Sequence, residues 1–188
     1  MRSLVAATFL ATVALSATAR DDQGTPVELA GMKSVAPADW KKEEPTTKFR
    51  MGQFKLPKAT GDAEDAELAI FSGLPGGGSV QANLARQEKK FEVPEGKKPE
   101  DIIKTEKMKL GGKYEAVLQD IQGTYLKKFP PFDPNAKITR VTDYRQLYVI
   151  FESKEGNSTV IYSMTLLGPA KTVEKHKKAF VDWLKNFK

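Results

Sequence analysis

Two stretches near the C-terminal end, Leu147-Tyr148-Val149-Ile150-Phe151 and residues 160–167, are apolar at nearly every position. Successive side chains of a strand point to opposite faces, so a run apolar on both parities must be covered on both sides. Glu155-Gly156-Asn157 between the runs reads as a hairpin turn. The chain therefore needs a sheet with a layer over each face.

The sequence offers two helices as those layers. After Gly168-Pro169, one stripe carries Val173, Phe180, Leu184 and Phe187 with Trp183 beside it, while Lys171, Lys175, Lys178 and Lys185 fall largely off it. An earlier helix follows the turn Pro75-Gly76-Gly77-Gly78-Ser79. Val80, Leu84, Gln87 and Phe91 share its face, Ser79 is a suitable N-cap, and Pro94 and Gly96 end it.

The remaining apolar stretches read as strands. Residues 49–56 slip parity at Gly52-Gln53, which predicts a bulge, and residues 67–74 return across Gly61-Asp62 as a hairpin. Residues 102–110 and 114–125 form another hairpin about Gly111-Gly112, with imperfect alternation and hence less burial. Residues 127–135 contain Pro130, Pro131 and Pro134, which bars helix and central strand. The order predicts an α+β fold, an antiparallel sheet of about six strands sandwiched between helices.

The first residues have the anatomy of a secretory signal. Arg2 precedes an apolar run from Leu4 to Leu15, and Ala17-Thr18-Ala19 supplies small residues for cleavage before Arg20. That run is shorter than the roughly 20 residues that cross a bilayer. The reading is a signal peptide over 1–19, a flexible polar leader over 20–36 and one domain over 37–188. It makes the protein exported, periplasmic or extracellular, and not membrane-spanning. The chain has no cysteine, so neither disulfides nor a cysteine-linked lipid anchor is available and packing must supply the stability. Basic residues number 30 against 24 acidic, and 24 of the 30 are lysine. Scattered lysine without arginine forks or stacking aromatics argues against a nucleic-acid reader and admits an acidic partner.

No pattern nominates a catalytic centre, a metal set or a cofactor. His176 is the only histidine and sits among Lys175, Lys177 and Lys178, which suits a surface or half-buried helix position. Asp62, Glu64, Asp65 and Glu67 lack calcium-loop spacing and read as a solvated hairpin tip. Two features invite ligands. Gly76, Gly77, Gly78 and Ser79 lead into a helix whose N-terminus could hold an anion, with Asn83 and Arg86 further along. Phe129, Pro130, Pro131 and Phe132 form a stiff apolar loop, which loses little entropy when it docks on a partner.

Several segments together resemble a known group. They are Trp40, Phe49-Arg50-Met51, Gly61-Asp62 before Glu67-Leu68, the Gly-rich turn into Ala82-Asn83-Leu84-Ala85-Arg86, and Leu166-Leu167-Gly168-Pro169 before the helix with Phe180. This set resembles uncharacterised exported bacterial proteins with the PsbP/Mog-type α/β/α sandwich, over residues 37–187. In that group the first helix carries an Asn-x-Asn-Arg-Trp core. Asn83 and Arg86 fit it, whereas Ala85 and Gln87 stand in place of the second Asn and the Trp. The resemblance implies a non-enzymatic protein that works by binding other proteins. The alternatives are a small-ligand or anion carrier, then an enzyme of unrecognised type.

Overall fold

The computed structural model describes residues 24–73, 78–130, 133 and 135–188. The signal peptide expected over 1–19 lies outside them. The chain runs β1 (Thr25–Leu29), β2 (Met32–Ala36), β3 (Lys41–Glu43), β4 (Arg50–Leu56), β5 (Ala66–Ser72), α1 (Val80–Glu88), β6 (Phe91–Glu92), β7 (Ile103–Leu110), β8 (Tyr114–Phe129), β9 (Lys137–Glu155), β10 (Ser158–Pro169) and α2 (Ala170–Lys185).

Eight strands form one sheet in the order β3-β4-β5-β10-β9-β8-β6, with β7 also paired to β8. The pairings are antiparallel, and β9 and β10, the two doubly apolar runs, sit at its centre. Alternation on β9 divides the core. Leu147, Val149 and Phe151 pack with Val173, Phe180, Trp183 and Leu184 of α2. Tyr148 and Ile150 face the other way and pack with Leu84 of α1. The two helices therefore cover opposite faces, as the double-sided runs require. On the α2 side Trp40 lies 5.5 Å from Trp183 and 6.5 Å from both Phe54 and Phe180, ring centre to ring centre.

The sheet exceeds the six strands expected. The six read from apolar pattern are all present as β4, β5, β7, β8, β9 and β10. The additional β3 and β6, of three and two residues, sit in charged or helix-ending sequence and pair mainly through backbone, so they leave no pattern to read. The bulge expected near Gly52 is present, as a register shift between Arg50 and Gly52.

Residues 25–36 correct the reading of 20–36 as a flexible leader. β1 and β2 form a two-stranded hairpin whose Leu29, Met32 and Ala36 are buried in the α2-side core. The inward row of β2 is Met32, Ser34 and Ala36, while Val35 points to solvent. Beyond Met32 the buried parity falls to Ser34 and Ala36, so the usual apolar alternation is missing. Backbone bonds from Lys33 N to Lys188 O (2.7 Å) and from Lys188 N to Lys33 O (3.0 Å) tie β2 to the C-terminal residue. α1 stops at Glu88, and Phe91, expected on its face, is instead a buried residue of β6.

Candidate functional site

β8 and β9 outrun their neighbours. β7 accompanies β8 only to Ile121 and β6 only to Tyr125, while β10 leaves β9 at Tyr144 to become α2. The two strands continue as a pair, through Leu126↔Arg140 to Phe129↔Lys137, and form a two-stranded arm. Its base is fastened on the β6 side. Leu126 N donates to Lys90 O at 2.7 Å, Arg140 pairs with Glu92, and Tyr125 stacks on Tyr144 and meets Phe91 at a tilt. Lys90 also donates from Nζ to Gln87 Oε1 at 2.7 Å, and burial lowers its ammonium to about 8.

Phe129, at the outer end of β8, is 75% exposed, and Ile138 across the arm is 50% exposed. Lys127, Lys128, Pro130 and Lys137 are exposed around them. Of the four loop residues singled out in the sequence, Phe129 and Pro130 are thus on the surface. Pro131 and Phe132 lie outside the described residues. A phenylalanine this exposed contributes little to the core, and Lys127 and Lys137 share its face of the arm.

The arm leaves the sheet at a bulge. Gly123 stands opposite Tyr144 and Tyr125 opposite Val141, so Thr142 and Asp143 together face Thr124. Asp143 takes φ of 55°, a left-handed conformation that aspartate tolerates better than most residues.

The second predicted site falls at the start of α1. Gly76 and Gly77 lie outside the described residues, and Gly78 has φ of 71°. Ser79 caps the helix by accepting from Ala82 N at 3.2 Å. Asn83 donates from Nδ2 to Ser79 O at 2.9 Å, and Arg86 donates from Nη1 to Asn83 Oδ1 at 2.9 Å. Arg86 folds back so far that a Cβ on Gly78 would stand 3.1 Å from its Nη2. Ser79, Asn83 and Arg86 therefore meet at one end of α1.

The acidic residues of the β4–β5 turn are drawn to separate partners. Asp62 accepts from Thr172, Asp65 from Lys58 N (2.9 Å), Glu64 from the Tyr144 hydroxyl, and Glu67 from Arg50 (2.8 Å). Desolvation and the Glu64 carboxylate both push the Tyr144 phenol up. They knit the turn to α2 and the sheet instead of forming a solvated tip. His176 is likewise not at the surface. It is 3% exposed, with Nε2 at 2.9 Å from Pro57 O, because its position on α2 turns it toward the β4–β5 connection.

One charged cluster has no signal in the sequence. Asp120 on β8 takes bonds from Arg145 Nε (2.7 Å) and Nη2 (2.6 Å) on β9, and from Lys177 Nζ (2.7 Å) on α2, while Arg145 also pairs with Glu174. Burial pushes the Asp120 carboxyl up, but Arg145 and Lys177 outweigh that and hold it below the usual carboxylate range. Asp120 and Arg145 also line a cleft of about 150 Å³ with Asp101, Ile102, Lys104 and Gln122.

Among the described residues no helix is long and apolar enough to cross a membrane. No family model matches the chain, and no curated protein matches it. Solved structures do. LpqN, involved in cell envelope biogenesis of Mycobacterium tuberculosis, superposes with a TM-score of 0.52 at 12% identity, over 89% of this chain and 85% of that one. A cyanobacterial PsbP from Synechocystis gives 0.45 at 10% identity, over 94% and 98%. A Pseudomonas aeruginosa protein of unknown function gives 0.40 at 16%, over 87% and 94%. A bacterial envelope protein and a PsbP thus stand among the neighbours. The chain shares its fold with LpqN, and at this identity the likeness is one of fold alone.

Proposed function

We propose that the protein is an exported, non-enzymatic accessory protein that acts through protein–protein contact, and that the β8–β9 arm is its contact surface. The supporting observation is Phe129, 75% exposed at the end of a ribbon that the rest of the sheet does not flank. A large apolar side chain on a preformed backbone offers contact area at low ordering cost. The lysines beside it suit an acidic partner, and LpqN gives the same fold a precedent in an envelope setting. The working form under this reading begins at Arg20, after removal of the export signal.

The test is capture from the envelope fraction with the tagged domain and with a Phe129→Ala/Phe132→Ala variant, both checked for native near-UV circular dichroism. A protein retained in stoichiometric amount by the parent and lost by the folded variant supports the reading. Partners retained equally by both place the contact elsewhere on the molecule.

A second reading is an anion carrier at residues 76–79 with Asn83 and Arg86. It draws on the return of Arg86 over Gly78. A phosphate titration that shifts the amide resonances of Ser79 and the Arg86 side chain would favour it.

A further inference from the structure

The backbone of the arm has a free side, and it says more about the partner than Phe129 does. β10 flanks β9 from Glu155 down to Tyr144, where β10 ends and the chain turns into α2. β9 runs on to Lys137 with β8 on one side. Along residues 137–142 no strand lies on its other side among the described residues. Alternate N–H and C=O groups of an extended strand point to each side, so this edge presents a row of ladder groups about one strand long. The bulge at Asp143 closes the row at the inner end.

The side chains specify the occupant. Cross-strand partners share a face, so Lys128, Ile138 and Arg140 lie on one face of the arm and Lys127, Phe129, Lys137 and Thr139 on the other. Each face therefore carries cations beside one exposed apolar side chain. A second copy of this chain is a poor occupant, because edge-to-edge pairing would bring two arms, each carrying Lys127, Lys128 and Lys137, side by side. An anionic membrane would meet the lysines and Phe129 but would leave the backbone row unused.

We propose that the outer edge of β9 over residues 137–142 receives an acidic, extended segment of a partner protein as an added strand. The incoming backbone completes the ladder. Its acidic side chains stand beside Lys137, since Arg140 is already engaged by Glu92 across β8, and an apolar one lies beside Ile138, which is the division of labour in strand-addition recognition. This rests on the reading of the arm as a contact surface and adds how the contact is made.

The probe is a synthetic seven-residue peptide of alternating Glu and Val, titrated into the chain beginning at Arg20. A second peptide of the same sequence is N-methylated at every other residue, which removes one row of donors and keeps the charge. The expected result is at least tenfold slower exchange of alternate amides within 137–142 at saturation with the first peptide. Binding weakens at least tenfold for the N-methylated peptide. Three outcomes overturn the proposal: unchanged amide exchange, equal binding of both peptides, or no binding up to about 1 mM. Vesicles containing phosphatidylglycerol are run in parallel. If they bind through Phe129 while the peptide does not, the arm is a membrane contact and strand addition is wrong. If a captured protein depends on Phe129 yet leaves the 137–142 amides unchanged, the contact reading stands and strand addition fails alone.

Discussion

Asp62 caps a helix that begins over a hundred residues later: its Oδ2 accepts from the Thr172 backbone N–H at 2.9 Å and from the Thr172 hydroxyl at 2.6 Å. Pro169 occupies the N-cap position of α2 and makes no side-chain capping bond, so the turn between β4 and β5 supplies the cap in its place. Asp62→Ala should lower unfolding stability by about 1–2 kcal/mol. Urea denaturation checks this. An unchanged midpoint would mean that water replaces the carboxylate at no cost.

The left-handed backbone at Asp143 makes a contrast between two substitutions informative. The side chain is exposed, so backbone conformation should dominate. Asp143→Gly is expected to stay within about 0.5 kcal/mol of the parent, and Asp143→Val to lose about 1–2 kcal/mol. Equal stabilities in thermal melts would show that the bulge does not require this conformation.

Acid should weaken the fold partly through Asp120. Its folded pKa is depressed, so its contribution is present above the unfolded value of about 3.9 and is lost as pH falls through the folded one. Asp120→Asn is expected to cost about 3 kcal/mol at pH 7, at the low end for a broken buried pair because Arg145 keeps Glu174. The gap between parent and variant should narrow below about pH 4. Paired denaturation curves from pH 3 to 7 would show it, and a gap that stays constant would remove Asp120 from the acid response.

Lys90 should act in the opposite pH range. Its folded pKa is lowered to about 8, so between there and the unfolded value the unfolded chain holds more protons. Stability from this group should therefore rise with pH over about 8 to 10.4, by no more than about 3 kcal/mol. Lys90→Met should lack the slope, and urea midpoints at pH 7 and 9.5 for both proteins measure it.

The legible part of the fold was the part specified by apolar pattern. The runs at 147–151 and 160–167 demanded two covers, and α1 and α2 supply them through Leu84 on one face and Phe180 on the other. Where backbone pairing or small residues do the work, the sequence was silent. β3 and β6 join by hydrogen bonds, and β2 buries Ser34 and Ala36 while it exposes Val35. The candidate site divides in the same way. The proline-rich loop marked out Phe129, but the open edge of β9 depends on where β10 ends, which is a matter of topology. Asp120, Arg145 and Lys177 meet from three elements, and none of them carries a local pattern that announces the others.

β9 is a single strand of 19 residues that belongs to the arm at one end and to the middle of the core at the other. Extended backbone hardly stretches, so inward of the bulge the strand runs taut to Leu147, Val149 and Phe151 in the core. The extra residue at Thr142-Asp143 bends the strand between its two ends, and Leu126 and Arg140 hold the arm to the β6 side beyond that bend. The molecule is thus built as a handle set on its body at one elbow, with a brace across it.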